Sequence, residues 1–204
     1  MESGFLAVAL MLEQRFGWPA KESHTYLLKT LATEGRGIVF NRLLAAKDAL
    51  NYSRIRDCVH TYRNHRPIIQ LNPIACNVLA NLNVRPYLVT DGHKVVQQKK
   101  VEALGLESQF KKIYITHRYG IKNAKPSTHC FELIKKREKC EWGDMFYVAD
   151  NPAKDFVNLN PLGVHTIRVA TGEHSKAIAQ AGFEAMYEIN TLEQLKNLLK
   201  EIFQ

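Results

Sequence analysis

Apolar residues in the first 65 positions recur at intervals of three and four. Phe5, Val8, Ala9, Leu12 and Phe16 share one face of a helix expected over 2–16, which Gly17 can close in a left-handed turn. Proline at position 19 suits the first turn of a second helix. Leu27, Leu28 and Leu31 form that helix's stripe until the EGRG run at 34–37 interrupts it. Segments 38–50 and 53–63 complete an all-helical module. From residue 66 the pattern changes. Short runs rich in β-branched and aromatic residues, PYLVT (86–90), KIYIT (112–116), MFYVA (145–149), HTIRV (165–169) and MYEI (186–189), alternate with helical patterns at 73–82, 93–104, 127–139, 153–160, 173–181 and 191–202. Thr191 and Gln194 make a capping box for the last helix. Strands separated by single helices predict a parallel sheet with right-handed crossovers. The expected fold class is α/β: a three-layer, parallel-sheet, Rossmann-like core over 66–204 beside a helical module over 1–65.

Composition narrows the class. A chain of 204 residues that is 46% hydrophobic and 24% charged can bury a core and is too apolar to stay disordered. No apolar run reaches the roughly 18 residues of a membrane span. The early GFLAVALML stretch lacks the basic front and small-residue exit of a signal peptide. The four cysteines, Cys58, Cys76, Cys130 and Cys140, form no CxxC pair; Cys76 and Cys130 fall in apolar helical patterns and are expected to be buried thiols. These traits predict a soluble, cytoplasmic, reduced protein with no membrane partner.

Charge adds one bias. The excess of 28 Lys and Arg over 20 Asp and Glu gives +8, which favours anionic partners. The densest basic runs, QQKKVEALG and LIKKREKCEW, read as solvent faces of helices, and no nucleic-acid motif accompanies them. A small phosphorylated ligand is therefore expected ahead of nucleic acid. His60 and His65 stand five apart, off the spacing that puts two metal ligands on one helix face. His117 follows the KIYIT run, where it either touches a substrate or packs in a loop. Trp18, Phe40, Tyr52 and Tyr62 either line a pocket or pack between helices.

Ligands of such sheets bind beyond the carboxyl ends of the strands. There this chain places Thr90-Asp91-Gly92 after PYLV and Asp150-Asn151-Pro152-Ala153-Lys154-Asp155 after MFYVA. Lys125 lies in the intervening GIKNAKPS loop, just before a helix that Ser127 can cap. A hydroxyl, a cation and two carboxylates suit a phosphoryl group. Thr90 and the backbone N–H groups of Asp91 and Gly92 can donate to phosphate oxygens, and Gly92 allows close approach. Lys125 supplies positive charge at a helix start. Asp150 and Asp155 offer the hard oxygens Mg²⁺ prefers.

VTDG (89–92), Lys125-Pro126 with Phe131, and YVADNPAKDFVNLNPLGVHTIRV (147–169) together resemble the second, third and fourth motifs of the haloacid dehalogenase (HAD) hydrolase superfamily. The resemblance covers about 66–190, and the helical module resembles the cap many members carry. It implies a HAD-like core, phosphate-monoester hydrolysis on a small metabolite, Thr90 on phosphate, Lys125 bridging phosphate and nucleophile, and Mg²⁺ on Asp150 and Asp155.

The family's first motif, a strand ending in Asp-x-Asp, has no counterpart. The chain's six aspartates are Asp48, Asp57, Asp91, Asp144, Asp150 and Asp155, and no two are separated by one residue. The nucleophilic carboxylate and the central strand that carries it are thus expected to be missing, leaving a scaffold without phosphatase activity. Three explanations compete: a truncated hydrolase; a shortened phospho-ligand-binding or interaction domain; and an unusual nucleophile or a strand donated between subunits. The 86–90 and 145–149 strands would then flank a gap, closed by pairing with each other, by a strand from another chain, or by water at an edge that invites homo-oligomers.

Overall fold

A computed structural model describes residues 1–202 in two compact units, Met1–Gln70 with Gln98–Leu104, and Leu71–Gln97 with the chain from Gly105 onward. The last two residues of the expected 66–204 core lie outside the described residues. The first unit contains α1 (Glu2–Phe16), α2 (Ala20–Glu34), α3 (Val39–Ala46) and α4 (Tyr52–Asn64). Gly17, at φ 70°, closes α1 by donating its N–H to Glu13. Asn51 caps α4 through Oδ1, which accepts from the Arg54 N–H at 2.9 Å. The helical stripes meet in one core around the fully buried Val8, Leu27 and Leu44. Gly4 permits that packing, since a Cβ there would lie 2.6 Å from the Tyr62 ring. Trp18, Phe40 and Tyr62 pack against this core, whereas Tyr52 is 80% exposed.

The second unit follows the alternating pattern: α5 (Pro73–Ala80), β1 (Tyr87–Thr90), α6 (Lys94–Ala103), β2 (Lys112–Ile115), α7 (His129–Glu138), β3 (Phe146–Ala149), β4 (His165–Val169), β5 (Tyr187–Ile189) and α8 (Leu195–Ile202). The boundary between the units falls within α6. Every strand pairing is parallel, as expected. β1 pairs with β2, with Thr90 opposite Ile115; β3 pairs with β4 and β4 with β5, with Ile167 opposite both Val148 and Tyr187. The Thr191–Gln194 capping box is present and leads through a 3-10 turn into α8.

The strands form two sheets rather than one. Among the described residues, β1 pairs only with β2, and β3 only with β4 on its one paired edge. The two edges have not closed on each other. Tyr87 and Val89 of β1, Tyr147 of β3, Phe131 of α7 and Leu199 of α8 line a cavity of about 1010 Å³.

Two expected helices are absent. Residues 153–160 form successive turns in which Asn151 accepts from the N–H groups of Lys154 and Asp155, ending in a 3-10 turn at Asn160–Leu162. Asn151 Oδ1 captures the Ala153 N–H, and such local side-chain bonds compete with a helix. Residues 173–181 contain only the 3-10 turn Gly172–His174. There the buried Arg168 guanidinium takes the carbonyls of His174 and Ala177 at 3.1 and 2.6 Å. Cys130 is buried as expected, but Cys76 is exposed, because α5 buries no residue fully. No described helix is long and apolar enough to cross a membrane.

Candidate functional site

The carboxyl ends of β1, β2 and β3 bring polar residues into two linked clusters. The first centres on Asp91, directly after β1. Its Oδ1 accepts from the Thr116 hydroxyl at 2.7 Å and from the Lys125 N–H at 3.1 Å. Its Oδ2 receives the Lys154 ammonium at 2.8 Å. Burial by itself would push the Asp91 carboxyl upward. The Lys154 ammonium, the Thr116 hydroxyl and the Lys125 amide outweigh it, holding the carboxyl below its ordinary value. Asp91 therefore ties four chain segments together: the ends of β1 and β2, the loop before α7, and the loop after β3.

The second cluster is a triangle. The Lys125 ammonium lies 2.7 Å from Asp155 Oδ1 and donates to the Tyr147 hydroxyl at 3.0 Å. That hydroxyl in turn donates to Asp155 Oδ1 at 3.2 Å. The Asn151 N–H supplies the other carboxylate oxygen, Oδ2, at 3.1 Å. The Lys125 and Asp155 side chains are only 10% and 2% exposed, so this pair is screened far less than a surface one. Burial, and then the Asp155 charge, pushes the Tyr147 phenol well above its ordinary value. It is thus a neutral donor and acceptor at any physiological pH.

The remaining expected residues sit around these clusters. The Thr90 hydroxyl donates to Gln97 Oε1 on α6 at 3.1 Å. Gly92 adopts φ +134°, a conformation that side-chain-bearing residues rarely adopt, and a Cβ there would lie 2.6 Å from Gln97 Nε2. Asp150 is exposed at the end of β3. Ser127 Oγ accepts from the His129 N–H at 3.3 Å, serving the start of α7. The residues thus divide: Asp91, Lys125 and Asp155 share one bonded network, while Thr90, Gly92 and Asp150 border it.

Mg²⁺ takes few carboxylates and completes its shell with water and phosphate oxygens. An exposed carboxylate such as Asp150 fits that demand. Asp155 is differently occupied, since both of its oxygens accept from protein donors. No group of three His, Cys, Asp or Glu among the described residues could hold a metal ion.

Three side chains of the network, those of Thr116, Lys154 and Tyr147, lie outside the set the sequence predicts. Thr116 ends β2 as Thr90 ends β1, so the same strand-end signal was available for it. Lys154 stands inside the Asp150–Asp155 run and was legible as a cation near the site. Tyr147 offered no signal, because an aromatic residue inside a strand reads as core.

The parallel α/β unit with strand-end Asp, Lys and Asp defines a class. A model of the haloacid dehalogenase-like hydrolases matches residues 18–169, and the chain belongs to that family. Among curated proteins, the glyceraldehyde 3-phosphate phosphatase of Methanocaldococcus jannaschii is 26% identical over 115 residues, covering 56% of this chain and 49% of that protein. The matched stretch thus spans about half that relative's length. Among solved structures, the HAD-hydrolase YfnB of Bacillus subtilis, crystallised with magnesium, is similar with a TM-score of 0.66 at 19% identity, over 97% of this chain and 91% of that one. A HAD phosphatase of Thermococcus onnurineus is similar with a TM-score of 0.57 at 22% identity, over 98% and 92%. At these identities the two structures establish the fold.

Proposed function

We propose that this scaffold serves Mg²⁺-dependent hydrolysis of a phosphate monoester on a small metabolite, and that these 204 residues supply the phosphate and metal side of the site only. The observation that carries this reading is the buried Lys125 ammonium at the carboxyl ends of parallel strands. Asp155 and Tyr147 take two of its three N–H donors, and the third is suited to a phosphate oxygen. Thr90 and the Asp91–Gly92 backbone add donors on the β1 side. Asp150 would hold Mg²⁺, which when bound offsets the charge that develops on the transferring group. The phosphatase named among the relatives supports the same chemistry.

No aspartate of the α/β unit is placed to attack phosphorus. Asp91 and Asp155 have both oxygens committed to protein donors. Asp144 accepts from the Glu141 N–H in a capping box. Asp48 and Asp57 belong to the helical unit. Asp150 is assigned to the metal. The attacking carboxylate therefore comes from outside this sequence, on a strand entering between the unpaired edges of β1 and β3. Apolar side chains including Val89, Phe131, Ile134 and Leu199 line the cavity there, as a central strand requires. Self-association through the same edges is the competing use of the gap.

The test is hydrolysis of an aryl phosphate with Mg²⁺, paired with phosphate binding. The chain alone is expected to bind phosphate without turnover, and Lys125→Ala to weaken that binding about tenfold. A peptide of continuous apolar residues ending in Asp-x-Asp is expected to bring turnover. Robust hydrolysis by the chain alone, abolished by Asp150→Ala, would overturn the need for an outside carboxylate. Phosphate binding that never yields turnover, even with the peptide, would establish a binding module instead. Absence of phosphate binding would reject the phosphoryl site, and a concentration-dependent dimer that excludes the peptide would assign the edges to self-association.

A further inference from the structure

The geometry points to Tyr147 as the positioning residue that holds the Lys125 ammonium in place for an anionic ligand. The inference rests on the reading of Lys125 as a phosphate-binding cation, and adds the group that sets where its charge lies. Lysine is a flexible side chain with three rotatable donors and no fixed fork, so a lone carboxylate leaves the ammonium free to swing about it. Here a second acceptor removes that freedom. The Tyr147 hydroxyl is 3.0 Å from Lys125 Nζ and 3.2 Å from Asp155 Oδ1, closing a triangle whose third side is the 2.7 Å ion pair.

The hydroxyl is itself fixed by its ring. Phe131 of α7 meets the Tyr147 ring edge-on at 4.8 Å between centroids, and the buried Phe156 lies at 6.4 Å. The Lys125 ammonium lies 5.7 Å from the centroid of the same ring, beyond the hydroxyl and nearly in line with it. Tyr147 therefore contributes a hydrogen-bond acceptor and a donor to the opposing carboxylate, both from a rigid strand. Its ring also lines the cavity between the two sheets, so whatever fills that cavity touches the group that aims Lys125.

Tyr147→Phe keeps the ring and deletes the hydroxyl. The decisive readout is the rate at which an amine-acylating reagent modifies Lys125, followed by mass spectrometry at fixed pH, with and without inorganic phosphate. Removal of the hydroxyl is expected to raise that rate about tenfold, the effect of one hydrogen bond to a charged group, and to weaken phosphate binding several-fold. An unchanged acylation rate in a folded Tyr147→Phe protein overturns the inference. Should that variant not fold, the wild-type protein decides: a slowly exchanging tyrosine hydroxyl proton with nuclear Overhauser contacts to the Lys125 ε-methylene is expected, and its absence overturns the inference. Phosphate protection of wild-type Lys125 tests the underlying reading separately. Without protection the phosphate assignment fails, while the acylation ratio still reports on Tyr147.

Discussion

The two units bury their apolar residues differently. In the helical unit, Phe5, Val8, Leu12, Leu27, Val39, Leu43 and their neighbours make one continuous core. In the α/β unit the described core is divided. One cluster joins Ile167, Val169 and Ile189 to Leu195 of α8, a second groups Tyr114, Cys130 and Ile134, and a third groups Phe131, Leu159 and Val164. The first cluster packs with the β3–β4–β5 sheet and the second with β1 and β2, while the third meets both Val89 of β1 and Tyr147 of β3. Helices satisfy their backbone internally and need only an apolar stripe to pack, whereas a strand needs a neighbour on each edge. Polar bonds add to the cross-linking in the α/β unit: the Lys154–Asp91 pair joins the end of β1 to the loop after β3 across the break.

The comparison breaks most readily in the cores. Leu27→Ala removes a fully buried side chain from the continuous core and is expected to cost about 3–4 kcal/mol. Val89→Ala, on a half-buried residue lining the cavity, is expected to cost about 1 kcal/mol, because little packing is lost where space already exists. Urea unfolding of both variants checks this; equal costs would show that the α/β unit is packed as continuously as the helical one.

A second contrast lies between ion pairs. Lys125→Met strands the Asp155 carboxylate in the interior and is expected to cost about 3 kcal/mol. Arg15→Met removes the helical unit's Arg15–Asp57 pair, which is no longer than its buried counterpart at 2.5 Å but half exposed, and is expected to cost no more than about 0.5 kcal/mol. The difference is read as the shift in thermal midpoint, and comparable losses would mean that burial does not separate the two pairs.

What could be read ahead of the structure follows the same division. Strand and helix order were legible because β-branched runs and helical stripes are local signals, and all five expected strands are present within a residue of their expected limits. The positions of Asp91, Lys125 and Asp155 at strand ends were legible because polar residues follow apolar runs. Side-chain direction was not. Nothing local shows that Asp91 turns toward Thr116 and Lys154, or that both Asp155 oxygens are taken by Lys125, Tyr147 and Asn151. The helices expected at 153–160 and 173–181 failed for a related reason: Asn151 and Arg168 claim backbone groups that a helix would use, and the fold of the chain after β4 back onto Arg168 is not a local signal.

The smallest effect expected sharpens the role of the polar cross-link. Asp91→Asn keeps an oxygen that can accept from Thr116 and from the Lys125 N–H, but loses the charge facing Lys154. Since the Lys154 side chain is one-third exposed, solvent already weakens that pair, and a cost of about 1 kcal/mol at neutral pH is expected. The sign with pH follows from the lowered carboxyl value. A depressed folded value gives stability that is complete above the unfolded value, near 3.8, and is lost as pH falls through the folded value beneath it. The gap between wild type and Asp91→Asn should therefore be constant from neutral pH down to about 5 and shrink below about 4. Amide exchange at β1 and β2 measures it at the cross-linked ends. A gap that persists undiminished at pH 2 would mean that the shape of the Asp91 side chain, and not its charge, holds the strand ends together.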